Sequence, residues 1–119
     1  MKRWMWIVPA AMLAAGATGD ILRWAPREAA ANPYAASEDA RHAGRKLFER
    51  YCAQCHGKEG EGIGRAPSLA ARKVKDAPPG TLFWILRNGS RATGMPSFSQ
   101  LPDERLWQIV TYLQSAAAR

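Results

Sequence analysis

The sequence predicts an all-α fold, on three observations. Apolar and small residues recur at helical spacing in three separate stretches, the first of them Glu38 to Tyr51. No stretch alternates apolar with polar residues as a half-buried strand would, so no strand candidate survives. The two cysteines, Cys52 and Cys55, stand with His56 directly behind the first helical stretch. A prosthetic group there would staple a chain too short to bury a large core.

Taken in order, residues 1–19 read as an address rather than as fold. Met1-Lys2-Arg3 is a basic start, and Trp4 to Ala17 is an uncharged run of 14 residues, with the first acid at Asp20. As a helix that run would span roughly 21 Å at about 1.5 Å per residue, short of a hydrocarbon core of about 30 Å. The length suits the apolar part of a secretory signal. Ala15-Gly16-Ala17 is the small-residue cleavage site, and Ala29-Ala30-Ala31 a weaker one. The rival reading is an uncleaved N-terminal anchor; a lipid anchor finds no cysteine after the run to attach to. The expected location is the periplasm, with membrane attachment only if the N-terminal segment is retained. Residues 20–36, rich in Ala and carrying Pro26 and Pro33, read as a flexible tether that packs loosely if at all. The folded domain is then 37–119.

Its first helix carries Ala40, Ala43, Gly44, Leu47, Phe48 and Tyr51 on one stripe. Ser37 is placed to cap it, and Glu38 and Asp39 complement the positive end of the helix dipole. A second helix is expected from Pro79 to Arg87, stopped by Asn88-Gly89. The last is expected to open at Pro102, a residue accepted at the first helical position. Asp103 and Glu104 follow, with Leu106, Ile109, Val110 and Leu113 facing inward.

Three chemistries use the spacing of Cys52-Ala53-Gln54-Cys55-His56. A zinc site wants four ligands, commonly two such pairs, and the chain has one pair and a single further histidine, His42. A redox dithiol belongs beside a βαβ pattern, which is missing. Covalent haem attachment uses all three residues: two thiols add to the vinyl groups, and the adjacent imidazole ligates iron. The ligand on the opposite axial face decides between electron transfer and small-molecule chemistry. Beyond the leader the one methionine is Met95, between Gly94 and Pro96 in a Gly/Ser/Thr-rich loop, Asn88 to Ser97. A thioether there raises the potential and blocks exogenous ligands, which suits a carrier. His42 is the alternative ligand, but with Arg41 and Arg45 beside it it reads as a solvated surface histidine.

From Gly44 to Leu113 the sequence resembles a small bacterial class I monohaem cytochrome c. The resemblance implies N- and C-terminal helices crossing around a covalently bound haem c, with Gly44 and Phe48 meeting Tyr112 and Ile109. It implies Cys52 and Cys55 as attachment points and His56 and Met95 as axial ligands. Pro67 matches the proline whose carbonyl accepts a hydrogen bond from the ligand imidazole, and Leu69 would press on the haem. Trp84 matches a tryptophan that donates to a haem propionate in some relatives, and it reads equally well as core. Met95 follows His56 by 39 residues, so the loops are short.

The implied function is single-electron transfer between a periplasmic dehydrogenase or respiratory complex and an acceptor, not catalysis. The alternative is a haem sensor or peroxidase-like protein with a labile methionine. Catalysis would call for distal acid–base groups, and the Met95 loop offers only Arg91, Thr93 and Ser97. Residues 37–119 hold 13 Lys and Arg against 8 acids. Arg65, Arg72, Lys73, Lys75, Arg87 and Arg91 read either as solvated loops or as a basic collar that steers the protein onto an acidic docking face. An exported haem protein is a poor candidate for nucleic-acid binding despite the basic charge.

Overall fold

The computed structural model describes residues 21–27 and 30–116. The expected leader, 1–19, lies outside the described residues. Among the described residues six helices follow one another: α1 (Ile21–Trp24), α2 (Glu38–Tyr51), α3 (Ala53–His56), α4 (Arg72–Asp76), α5 (Pro79–Asn88) and α6 (Asp103–Ala116). Among the described residues there is no strand; two isolated bridges, Ile63 with Ala66 and Ser90 with Met95, pin loops.

α2 begins where its cap dictates. The Ser37 hydroxyl accepts from the Ala40 amide at 3.0 Å, and Glu38 and Asp39 fill the first turn. α5 ends because Gly89 follows with φ of 67°. The start of α6 differs by one residue from the expectation. The Pro102 carbonyl accepts from the Arg105 and Leu106 amides at 2.9 and 3.2 Å, so Pro102 caps the helix and Asp103 opens it.

α2 crosses α6 at van der Waals contact. A Cβ on Gly44 would collide with the Gln108 carbonyl and come within 2.9 Å of the Tyr112 Cβ, so only glycine lets the two backbones meet. Phe48 and Tyr112 seal the crossing, ring centroids 5.4 Å apart. Leu106, Ile109 and Val110 are fully buried, and Leu47, Cys52, Val74, Leu82, Leu86 and Phe98 complete one hydrophobic cluster. Three helices escape the periodicity argument. α1, α3 and α4 have four, four and five residues, too few for an apolar stripe. α4 is held from a distance: the Gln114 side-chain amide donates to the carbonyls of Val74, Lys75 and Ala77 at 2.8–3.2 Å.

The segment expected as a loose tether makes specific contacts over its described residues. Ala25 is buried and Leu22 packs against the cluster. The Thr81 hydroxyl donates to the Pro26 carbonyl at 2.9 Å. The Asn32 amide donates to the Thr111 hydroxyl at 2.8 Å, and Thr111 lies 3.2 Å from the Tyr34 carbonyl. Single polar residues meeting partners 55 to 79 positions away leave no local pattern, and composition alone therefore read them as linker.

Candidate functional site

The cysteine pair is carried out of α2 by a one-residue break. Cys52 ends α2 and its amide still donates to the Phe48 carbonyl, while Cys55 and His56 lie on the single turn of α3. Cys52 is buried and Cys55 exposed, and no disulfide joins them. Burial pushes the Cys52 thiol up to about 12, and the neighbouring Cys55 adds to the shift. A sulfur held neutral in apolar surroundings is ill suited to a thiolate ligand or an attacking thiolate. As a thioether it carries no charge, and its burial then meets no such penalty. Among the described residues no cluster of three or more His, Cys, Asp or Glu side chains gathers that could hold a metal ion.

Behind His56 the chain returns on itself. The Gly62 amide donates to the His56 carbonyl at 2.5 Å, the Leu69 amide to the Gly60 carbonyl at 2.6 Å, and Ile63 and Ala66 pair. This lasso delivers the Pro67 carbonyl to 2.8 Å from His56 Nδ1. A carbonyl can only accept, so Nδ1 carries the proton, and in the neutral ring Nε2 keeps its lone pair for another partner. Leu69 is half-buried against the hydrophobic cluster.

Met95 sits on the second loop. Its amide donates to the Ser90 carbonyl at 3.0 Å, and its carbonyl accepts from the Ser90 amide at 2.9 Å. The side chain is half-buried and packs against the cluster. Gly89, with φ of 67°, lets the loop close; a Cβ there would come within 2.8 Å of the Met95 carbonyl and 2.7 Å of the Ser97 amide. Trp84 is half-buried on α5. His42 stays on the surface of α2, its Nε2 3.7 Å from a Glu38 carboxylate oxygen. Sequence reasoning passed over Ser90. It is 5% exposed, and its hydroxyl has no hydrogen-bond partner, a condition that costs about 1–3 kcal/mol when left unrelieved.

The expected basic collar is partly neutralised. Arg87 pairs with Asp103 and lies over the Phe83 ring, 5.2 Å from its centroid; Arg72 lies 3.6 Å from Asp76. Arg65, Lys75 and Arg91 are exposed. Ile63, in the loop behind His56, is an exposed large apolar side chain, 54% accessible.

Residues 39–113 match the family model described as cytochrome c oxidase, cbb3-type, subunit III. The chain belongs to this family of cytochrome c domains. This cytochrome c is 37% identical over 101 residues to the quinohemoprotein alcohol dehydrogenase ADH-IIG of Pseudomonas putida, covering 82% of the chain and 14% of that protein. It is 37% identical over 78 residues to the cytochrome c subunit of 4-cresol dehydrogenase (hydroxylating) of Pseudomonas putida, 64% of the chain and 62% of that subunit. It thus spans less than two thirds of either relative. Among solved structures, cytochrome CL of Methylophaga aminisulfidivorans superposes with a TM-score of 0.61 at 28% identity, over 71% of this chain and 58% of that one. The c-type cytochrome XoxG of Methylobacterium extorquens superposes with a TM-score of 0.58 at 26% identity, over 66% and 51%. The cofactor of this cytochrome c is a covalently bound c-type haem. The residues present fit that group: a buried neutral thiol, an exposed second thiol one turn on, and an imidazole with Nε2 available.

Proposed function

We propose that this cytochrome c is a single-electron carrier, not an enzyme, that takes electrons from a dehydrogenase and hands them to a respiratory acceptor. The haem iron supplies the one-electron couple. Cys52 and Cys55 would hold the macrocycle through thioether links, and His56 Nε2 and Met95 would be the side chains that ligate the iron. The Pro67 carbonyl, 2.8 Å from His56 Nδ1, fixes the plane of the imidazole, as a partner behind a metal ligand does. Leu69 packs on the same side.

The observation that carries the reading is the chemistry of the loop 88–99. It contains no carboxylate and no imidazole, so Met95 is the one soft ligand it offers and no distal acid–base group is at hand for catalysis. Carbon monoxide added to the reduced protein at neutral pH tests this. An unreactive low-spin spectrum is the expected result; prompt binding would instead favour a sensor or peroxidase-like protein with a labile methionine.

A dehydrogenase as donor is supported by the relatives, one a quinohemoprotein alcohol dehydrogenase and the other a dehydrogenase cytochrome subunit. Arg65, Lys75 and Arg91 form the cationic rim that would meet an acidic docking face. Reduction by such a dehydrogenase should slow as salt rises, because steering between opposite charges is screened over about 8 Å at physiological ionic strength. A flat response would remove the acidic-face element while leaving electron transfer intact. The periplasm is the proposed location, supported by the basic start and apolar run of residues 1–17. No helix among the described residues is long and apolar enough to cross a membrane.

A further inference from the structure

The last turn of α5 ends, as every helix does, in carbonyls that the helix itself cannot serve. The Ile85 carbonyl still accepts from the Gly89 amide at 2.7 Å. The next two are served from beyond Met95. The Leu86 carbonyl accepts from the Phe98 amide at 2.8 Å, and the Arg87 carbonyl from the Ser97 hydroxyl at 2.6 Å. The chain therefore leaves α5, makes the Met95 loop and returns to finish the helix it left. Two closures result, one inside the other. The inner is the Ser90–Met95 backbone pair, at 2.9 and 3.0 Å; the outer is Ser97 and Phe98 on the end of α5.

Within the outer closure the Phe98 bond runs from backbone to backbone, whereas the Ser97 bond needs a hydroxyl. That hydroxyl spends its one proton on the Arg87 carbonyl and accepts from the Ser99 amide at 3.1 Å. It thus ties α5 to both sides of buried Phe98. Only Pro96 separates Ser97 from Met95. Its ring fixes φ, and a residue before proline, here Met95, is confined to extended backbone. The returning strand also lies close on Gly89: a Cβ there would come within 2.7 Å of the Pro96 carbonyl carbon and of the Ser97 nitrogen. Little slack remains to absorb a movement of Ser97 before it reaches Met95.

We infer that Ser97 is a positioning residue for Met95, its hydroxyl capping α5 and so holding the loop closed over the thioether's position. This rests on the axial role proposed for Met95. Opening the loop breaks the bond, so the hydroxyl favours the closed arrangement by what one hydrogen bond contributes, roughly fivefold. A competing ligand reaches the iron only in the open fraction, and its apparent affinity scales with that fraction.

Imidazole titrated into the oxidised holoprotein, followed by the sulfur-to-iron charge-transfer absorption, tests this. In Ser97→Ala the half-saturating concentration should fall roughly fivefold, and Ser97→Thr, which keeps the hydroxyl, should restore it. Ser37→Ala deletes a hydrogen bond of similar weight at the cap of α2 and measures general weakening of the fold. It should leave the titration where it was. An unmoved titration in Ser97→Ala overturns the inference, and so does an equal fall in Ser37→Ala. Failure of the carrier reading looks different: the unaltered oxidised protein would lack the sulfur-to-iron absorption, and the unaltered reduced protein would bind carbon monoxide promptly.

Discussion

The two loops that flank the proposed haem position solve one problem by opposite means. The loop behind His56 reaches the functional side chain directly, through a 2.8 Å contact between the imidazole and the Pro67 carbonyl. The loop of Met95 has no such option, because a thioether carries no proton to donate. It must aim its methionine through the backbone, by the Ser90–Met95 pair and the tight passage at Gly89. An imidazole is thus held at two points, its bond to the chain and its second nitrogen, and a methionine at one. The difference locates where ligand exchange should occur: on the methionine side.

The largest effect should come from removing the singly held side chain, the proposed ligand Met95. Met95→Ala should convert a protein inert to carbon monoxide into one that binds it stoichiometrically when reduced, and should lower the potential, since a thioether favours the reduced iron. The imidazole side should be undisturbed. An unchanged spectrum in Met95→Ala would mean that another side chain holds the sixth position.

Paired glycine substitutions then compare the loops at equal chemistry. Gly62 has φ of 96° and Gly89 φ of 67°, both unfavourable for a side chain. A Cβ on Gly62 would stand 2.9 Å from the Ser68 amide, and one on Gly89 2.7 Å from the Ser97 amide. Each change to Ala should cost on the order of 1–3 kcal/mol in backbone strain with overpacking added, measured by denaturant unfolding. Their spectra should diverge. Gly89→Ala should open the iron to carbon monoxide partially, whereas Gly62→Ala should leave the sixth position closed and shift the potential through the His56–Pro67 contact. Identical behaviour would abolish the distinction between the loops.

The sequence discloses these two sides unequally, for the same physical reason. Cys52, Cys55 and His56 are contiguous with a capped amphipathic helix, so local spacing announces them. Ser37, the apolar stripe and Gly44 likewise act within a few residues or at one crossing. Ser90 is legible only once its backbone partner and burial are known, and nothing in the run Gly89-Ser90-Arg91 marks it. Asn32 and Thr111, or Gln114 and α4, meet across 37 to 79 positions, where no periodicity operates. The one-residue displacement of α6 is of another kind: proline suits either the first helical position or the cap, and the Pro102 carbonyl decides it.

A smaller effect follows from the cysteines. Before haem attachment the Cys52 thiol, raised from 9.0 to about 12 by burial, keeps its proton in the folded chain above the pH at which the unfolded chain releases it. The corresponding stability is complete below pH 9 and is lost as pH rises toward 12, by at most about 4 kcal/mol at roughly 1.36 kcal/mol per pH unit. A thioether has no proton to lose. Alkaline unfolding should therefore set in earlier for the unattached chain than for the holoprotein, and coincident curves would contradict the burial of Cys52. Exposed Cys55 should be alkylated before Cys52 in the unattached chain.

The smallest effect concerns a contact that serves neither loop directly. Thr81 lies on α5, which leads into the Met95 loop, and its hydroxyl anchors the chain at Pro26. Thr81→Val keeps the shape and deletes the bond, and Pro26 is exposed, so water can replace the lost donor at its carbonyl. The expected loss is about 1 kcal/mol, with the ligand spectrum of both sides intact. A shifted methionine-to-iron band in this variant would carry more information than the stability change. It would mean that the N-terminal segment reaches the singly held ligand through α5, and that the methionine loop owes part of its aim to residues far outside it.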